Sequence, residues 1–372
     1  MTRAQKRTAS TPPRVSVVTP TKNRLALLCE AIESVQAQNF TEWEHIIVDD
    51  GSDDGTAEEV ERRAKADSRI RFIRRSGDAV GANVCRNIGV RKSRGAYVLF
   101  LDSDDLLEPH CLARRVAILD RNEDVDFITF QTGFFIEELA DQRQCEPDLL
   151  GDDLTRFLFF ETPWIITGPT WRRSSLLRVG LFDESLLSWQ DIELHVRALT
   201  KGVRYLRFPE VDHHVRWQNK VGRISADQRK SPRHLEAAIA NLEKLERLVR
   251  DGPGMNWIRQ RALCSLYFFV ADCWAEAGRA PEALKAWGET RNRSIGTPFL
   301  YASGAVLLAL KAWGVPCDRL MNKWKGWMRL RTQPELVRQD RLRAGEEKLA
   351  ALGGAPVGRP DEPAIGQHDG SE

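Results

Sequence analysis

The sequence predicts an α/β fold: a Rossmann-like, mainly parallel sheet followed by a helical extension. Three observations carry this. Short β-rich runs alternate with helix-period stretches from Arg14 to Phe208. Two apolar runs, His45-Ile46-Ile47-Val48 and Tyr97-Val98-Leu99-Phe100-Leu101, end directly in clusters of aspartate. From about Pro232 the composition shifts to helix. Regular βα alternation argues for parallel strands with helices on both faces.

The elements follow in order. Val15-Ser16-Val17-Val18 is a strand ended by Pro20, and Leu25, Leu28, Ile32 and Val35 form one helical stripe. The first aspartate-tipped strand comes next, then a charged helix over Thr56 to Ala66 and a short strand over Ile70 to Ile73. Val84 and Ile88 mark a helix before the second aspartate-tipped strand. Pro109 opens a helix with Leu112, Val116 and Leu119, near the first turn where its missing N–H does no harm. Val125 to Phe130 is a further strand.

Between Gln131 and Ser188 the alternation blurs and aromatics gather: Phe134, Phe135, Phe157, Phe159, Phe160, Trp164 and Trp171. Trp189 to Thr200 reads as a helix and Val203 to Phe208 as a last strand. His234 to Arg250 is an amphipathic helix stopped by Asp251-Gly252-Pro253-Gly254. Ile258 to Ala277 and Glu282 to Glu289 form a helical hairpin around Gly278-Arg279-Ala280-Pro281, similar to a single tetratricopeptide-type unit. Such a unit cannot bury its own face, so it is expected to pack on the preceding domain or on a partner. The expected boundaries are a disordered lead-in at 1–13, a sheet domain at 14–230, a helical extension at 231–350 and a disordered tail at 351–372.

Composition excludes several classes. The chain has 372 residues, 42% of them hydrophobic, so it can build a sizeable core. A formal net charge of +2 gives no case for nucleic-acid binding. Its seven cysteines have no zinc-knuckle or redox spacing. With no secretory signal, they point to a reducing, cytoplasmic setting. The longest apolar stretch, Pro298 to Val315, is short for a membrane span and is broken by Gly304 and Lys311.

The aspartate clusters are the candidate site. Clustered carboxylates repel one another and are costly to desolvate without a partner, and a divalent cation is the commonest one. In open α/β sheets, ligands bind beyond the carboxyl ends of the strands. Asp102-Ser103-Asp104 suits Mg²⁺ or Mn²⁺, which take one or two protein carboxylates and fill the shell with phosphate oxygens. A nucleoside diphosphate is the natural third party. Asp53-Asp54-Gly55-Thr56 reads as a turn and helix cap. Asp50 follows a buried strand directly and is less well explained that way.

Five motifs then occur in order: Pro20-Thr21-Lys22-Asn23-Arg24; Val48 to Thr56; Arg86-Asn87-Ile88-Gly89; Phe100-Leu101-Asp102-Ser103-Asp104-Asp105; and Phe182-Asp183-Glu184-Ser185 with Gln190-Asp191 and Arg197. Together, over roughly Arg14 to Ser225, they resemble the family 2 inverting glycosyltransferases of GT-A fold. The resemblance implies a nucleotide-sugar donor, usually a UDP-sugar, and a saccharide or lipid-linked acceptor. It implies that Pro20 and Asn23 border the base and Asp50 bonds it. Arg86 and Asn87 lie beside the donor, Asp102 contacts ribose or sugar, and Asp104 ligates the metal. Asp191 is the implied catalytic base, and His213 or His214 is implied to complete the metal shell. In inverting transfer one base carboxylate suffices, and it must come from a separate segment opposite the leaving group.

The chain departs from the family at Gln190, where many relatives carry glutamate. The base role then falls on Asp191, or on Glu193 if the register shifts. Sugar choice is assigned to the aromatic stretch from Phe134 to Trp171. Trp313, Trp324, Trp327 and Met328 interleave with Lys311, Lys323, Lys325, Arg329 and Arg331. Such helices can lie peripherally on an anionic membrane face or pack their aromatics inward. Two rivals stay open: a metal-dependent nucleotidyltransferase, which needs a Gly-rich phosphate loop that Pro20-Thr21-Lys22-Asn23 lacks, and a non-catalytic scaffold, which Gln190 favours. No Gly-x-Gly-x-x-Gly follows the first strand, against a dinucleotide oxidoreductase.

Overall fold

The computed structural model describes residues 12–135, 143–144, 152–216, 231–293, 295 and 297–328. Both the expected lead-in up to residue 11 and the expected tail lie outside the described residues. Two compact units divide the chain: Met1–Pro147 with Gly151–Arg329, and Asp148–Leu150 with Leu330–Glu372. The second lies wholly outside the described residues.

The first half of the first unit alternates strand and helix: β1 (Val15–Thr21), α1 (Leu25–Gln36), β2 (Trp43–Asp49), α2 (Thr56–Ala66), β3 (Ile70–Arg74), α3 (Ala82–Lys92), β4 (Tyr97–Phe100), β5 (Leu106–Leu107) and α4 (Cys111–Arg121). Then come β6 (Phe127–Phe135), β7 (Arg143–Gln144), α5 (Asp153–Leu158), β8 (Pro169–Arg172), α6 (Arg173–Val179), α7 (Gln190–Thr200) and β9 (Tyr205–Arg216). Five helices close the described chain: α8 (Pro232–Asp251), α9 (Trp257–Glu276), α10 (Ala280–Asn292), α11 (Pro298–Ala312) and α12 (Asp318–Met328).

Among the described residues the strands form one sheet in the order β3-β2-β1-β4-β8-β6-β9-β5, with β7 on β6. The neighbours from β3 to β4 are parallel, as are β6 and β9, while β8 runs against both β4 and β6. The mixed, mostly parallel sheet with a helical extension is the expected architecture. Burial on both faces explains the near-continuous apolar strands. On β2, Ile47 packs with Val17 and with Leu28, Ile32 and Val35 of α1, whereas Ile46 and Val48 face Cys85 of α3. Gly89 lets α3 lie close on β1, because a Cβ there would run into the Val18 side chain.

One strand is longer than expected. The sequence pattern ends it at Phe208, but β9 continues to Arg216. Its register against β6 jumps from Phe130↔Phe208 to Gln131↔Val211, so Pro209 and Glu210 bulge out. The bulge absorbs a residue with no N–H to give, and pairing resumes beyond it. His213 and His214 therefore sit inside the sheet, paired to both β6 and β5.

A buried ion pair fastens α4 to this strand. Arg115 donates through Nε to Asp212 Oδ2 at 2.8 Å and through Nη2 to Oδ1 at 2.6 Å, with both side chains fully buried. Its Nη1 donates to Thr170 Oγ1 at 3.0 Å. The guanidinium holds the Asp212 carboxyl well below the usual carboxylate range, against the opposing effect of burial. Removing one partner strands a buried charge. Arg115→Leu is expected to lower unfolding stability at neutral pH by about 3–5 kcal/mol in urea titration. A loss below about 1 kcal/mol, the scale of surface pairs, would show the pair to be dispensable. Because the folded-state value is depressed, this contribution is present at neutral pH and fades as pH falls through that value.

The extension packs on the sheet domain. Lys244 of α8 reaches Asp183 and Glu193, each at 2.7 Å, and Arg259 of α9 donates to Asp152 at 2.7 Å. Of the two arrangements that the basic-aromatic pattern leaves open, Trp324 takes the inward one. Trp324 turns inward against Phe268, with ring centroids 4.2 Å apart, and Lys311 and Lys325 both pair with Asp272. Those lysines are committed to holding α11 and α12 on α9. The outward face of α11 is apolar instead, with Phe299 and Val306 exposed, as is Trp313 just past the helix end. The side chains of Trp327 and Met328, with Arg329 and Arg331, lie outside the described residues. No helix among the described residues is long and apolar enough to cross a membrane.

Candidate active site

Parallel pairing in register brings the ends of β1, β2 and β4 to one edge of the sheet, with Thr21 opposite Asp49 and Val18 opposite Phe100. A cleft of about 880 Å³ opens there. Pro20, Asp50, Arg86, Asp102, Asp104 and Asp191 all line it. Six residues spread over the chain from β1 to α7 thus meet in one space.

Adjacent aspartates have different work. Asp49 is fully buried and accepts from the backbone N–H groups of Gly51 at 3.2 Å and Ser52 at 3.1 Å, closing the turn after β2. Asp50 turns to the cleft, where Arg75 donates to one carboxylate oxygen and Gly81 N to the other at 3.0 Å. Asp54 accepts from Leu25 N at 3.0 Å and Thr56 N at 3.2 Å, so it serves the starts of α1 and α2. Arg75 was not legible in the sequence. It sits just past a short strand in a basic run and acquires meaning only through Asp50.

After β4, Asp102 accepts from Arg86 Nη2 at 2.6 Å and Asp104 from Arg24 Nη1 at 2.5 Å. Asp105 is buried behind them and accepts from Thr167 Oγ1 at 2.8 Å. Burial and the charges of Asp102 and Asp104 hold its carboxyl well above the usual range. This edge of the cleft therefore concentrates negative charge, met by Arg24 and Arg86.

Asp191 comes from the first turn of α7. Burial raises its carboxyl above the ordinary aspartate value; the Ile192 N–H, at 2.9 Å, and the charge of Arg86 pull the other way. Trp189, two residues before, adopts a left-handed backbone with φ 58°, as does Phe160 with φ 62°. For aromatic residues this costs on the order of 1–3 kcal/mol, held in place by the surroundings. The helix behind is braced. Arg197 donates to the carbonyls of Val179, Gly180 and Leu181, each at 2.8 Å, and to Glu193. Glu193 is fully buried between Arg197 and Lys244 and does not line the cleft, so it meets basic neighbours rather than solvent.

Four of the expected residues do not line the cleft. Asn23, with φ 51°, donates its N–H to Ser52 Oγ and accepts from Asp53 N, both at 2.9 Å, so it ties two loops together beside the site. Asn87 is spent on the loop before α7: its amide donates to Phe182 O at 2.9 Å and accepts from Phe182 N at 3.0 Å. His213 is fully buried among Asp212, Arg115 and Thr132. His214 Nε2 lies 2.6 Å from Glu108 Oε1. Both histidines serve the strand layer because β9 runs on past Pro209.

Of the aromatic stretch assigned to sugar choice, Phe159 and Phe160 line the cleft; the rings that join Phe160 there, Trp189 and Phe269, were not anticipated. Phe160, Trp189 and Phe269 form a corner with ring centroids 4.7, 5.8 and 6.3 Å apart, joined by His234, Leu235, Ala238 and Ser265 of the helical extension. A single aromatic at helical spacing carries no signal that it faces a cleft rather than a core.

Residues 16–180 match the profile of glycosyl transferase family 2. The chain carries a family 2 glycosyltransferase domain. The matched stretch holds Asp50, Asp102 and Asp104 and stops before Asp191. The domain's relatives include the GalNAc(5)-diNAcBac-PP-undecaprenol beta-1,3-glucosyltransferase of Campylobacter jejuni, 41% identical over 95 residues, 26% of this chain and 31% of that protein. Other curated relatives are matched over 25% of a Sinorhizobium fredii protein and 67% of a Methanocaldococcus jannaschii glycosyltransferase. The glycosyltransferase fold extends further than the profile. TarS of S. aureus, solved with UDP-GlcNAc, superposes with a TM-score of 0.59 at 16% identity, covering 84% of this chain and 89% of that one. The mannosyltransferase PcManGT of Pyrobaculum calidifontis, solved with GDP-Man and Mn²⁺, gives 0.51 at 20% identity, covering 86% of each chain.

Proposed function

We propose that the chain transfers a sugar from a nucleoside diphosphate donor to an acceptor hydroxyl with inversion at the anomeric carbon. The observation that carries this reading is the shared cleft: Asp191, from α7, opens into the same space as Asp50, Asp102 and Asp104. In the proposed reaction the acceptor oxygen attacks the anomeric carbon as the bond to the diphosphate breaks, and Asp191 takes the acceptor proton. A carboxylate raised by burial is a better base than a solvated one. UDP-GlcNAc and GDP-Man in the neighbouring structures, and the glucosyltransferase name of one relative, support a nucleotide-sugar donor. The resemblance favours a UDP-sugar. The same relative's name supports a lipid-linked saccharide as acceptor.

Mg²⁺ or Mn²⁺ fits the residues in one way only. Among the described residues no group of three His, Cys, Asp or Glu is placed to hold an ion. A protein cage is therefore not the fit; one or two carboxylates plus diphosphate oxygens is. Asp104, with Asp102 beside it, would hold the ion, and Arg24 would have to share or yield that carboxylate. When bound, the ion supplies charge neutralisation to the departing diphosphate. Arg86 and Arg24 bring further positive charge to the same edge.

The test is a panel of UDP- and GDP-sugars with and without Mn²⁺. At least one is expected to raise the unfolding midpoint, by an amount corresponding to about 2.7 kcal/mol at hundredfold saturation. The same sugar nucleotide is expected to release its nucleoside diphosphate on incubation. Neither stabilisation nor release by any of them would remove the reading.

A further inference from the structure

The aromatic corner of the cleft has no role yet in the proposed reaction. It combines two kinds of surface. Phe160, Trp189 and Phe269 present aromatic rings from three separate segments, with Trp189 edge-on to Phe160 at an interplanar angle of 81°. Gln190, Ser265 and His234 line the same cleft. His234 Nδ1 is buried and has no hydrogen-bond partner among the described residues. A buried polar atom left unpaired is costly, and such atoms mark places where a ligand or water completes the set.

We propose that this corner is the acceptor subsite and that it takes a neutral pyranose ring. The inference rests on the glycosyltransferase reading and deepens it. A pyranose has a C–H face that packs on flat aromatic surface and a rim of hydroxyls that need partners. The corner offers both, with donor-and-acceptor groups in Gln190, Ser265 and His234. None of these six side chains carries a fixed charge, so the corner does not suit a phosphate. An unbroken hydrocarbon chain would leave the three polar groups desolvated and unpaired. The corner adjoins Asp191 through Trp189 and Gln190, which puts a bound ring's hydroxyl within the base's surroundings. Gln190 then has a use where a second carboxylate would have brought charge: its amide can both donate to and accept from a hydroxyl. His234, Ser265 and Phe269 make the helical extension a part of the site.

The test uses the full chain with UDP and Mn²⁺ present. Saturation-transfer NMR is run with the methyl β-glycosides of glucose, galactose and N-acetylglucosamine, and with farnesyl phosphate as the lipid probe. In the wild type, irradiating only protein aromatic protons is expected to transfer saturation to the ring C–H protons of at least one glycoside. Phe269→Leu and Phe160→Leu keep apolar bulk and lose the flat face; each is expected to weaken that glycoside at least about fivefold. Binding of UDP, read separately by thermal shift, is expected to stay within about twofold in both variants. Transfer from aromatic protons to no glycoside, unchanged binding in both variants, or farnesyl phosphate alone depending on Phe269 would each overturn the proposal. The wild-type transfer measurement needs no variant to fold. Failure of the parent reading looks different: nucleotide sugars neither bind nor release diphosphate, whatever the glycosides do.

Discussion

Asp191→Asn is expected to slow sugar transfer by about 10²–10⁴-fold while donor binding stays nearly unchanged. The amide has the shape of the carboxylate and keeps an oxygen to accept from the Ile192 N–H, which lies 2.9 Å from Oδ1. It cannot take a proton. The loss should therefore fall on kcat and kcat/KM alike, with the dissociation constant of the donor, measured by calorimetry without acceptor, held. The wild-type pH profile carries a second signature. Burial raises the Asp191 carboxyl, so the base is lost to protonation at a higher pH than a solvated aspartate, whose ordinary value is about 3.9. Activity should fall with decreasing pH through that raised value, and the acid limb should vanish from the residual activity of the variant. An Asp191→Asn enzyme with near wild-type kcat would move the base elsewhere. Glu193 would be a poor substitute, since it is fully buried and held by Arg197 and Lys244.

The second large effect is expected at Asp104. Asp104→Ala removes a carboxylate from the end of β4 and releases Arg24. Donor binding in the presence of Mn²⁺ should weaken at least about tenfold, and the Mn²⁺ enhancement of donor binding should disappear. The variant should bind UDP equally well with Mn²⁺ and with a chelator. If Mn²⁺ still tightens UDP binding in Asp104→Ala to the wild-type extent, the ion is held by other groups. Asp102→Ala separates the two carboxylates, because it releases Arg86 rather than Arg24.

The sheet domain was legible because its signals are local and repeated. Strands β1, β2 and β4 are buried on both faces, so they read largely as apolar runs, and each ends where the chain must turn. The clustered aspartates were legible for the opposite reason, since they break the pattern. What the residue types could not say is which way each one points. Asp49 and Asp50 are neighbours with the same chemistry, yet one closes a turn and the other lines the cleft. Asn23 and Asn87 belong to motifs that the resemblance ties to the donor, but their amides are occupied by backbone of adjacent loops. His213 and His214 were expected in a loop. A bulge at Pro209 lets the strand resume and carries them into the sheet, an outcome that depends on pairing with β5 and β6. The aromatic corner was legible only in Phe160, which lies in the stretch assigned to sugar choice. Phe160, Trp189 and Phe269 lie far apart in sequence, and only the packing of α8 and α9 against α5 and α7 brings them together.

That packing has a bearing on how such a molecule can diversify. The carboxylate edge is written in the strand ends between Pro20 and Asp104, a stretch locked by parallel hydrogen bonding in which a register slip would displace every group at once. The aromatic corner draws on two helices more than a hundred residues downstream, anchored by Lys244 and Arg259 at points away from the cleft. Changes at His234, Ser265 or Phe269 leave the strand block untouched. One surface of the cleft is thus constrained by the architecture of the sheet, while the other is open to substitution, so that descendants of one chain can keep a common way of activating a donor and drift apart in what they recognise across from it.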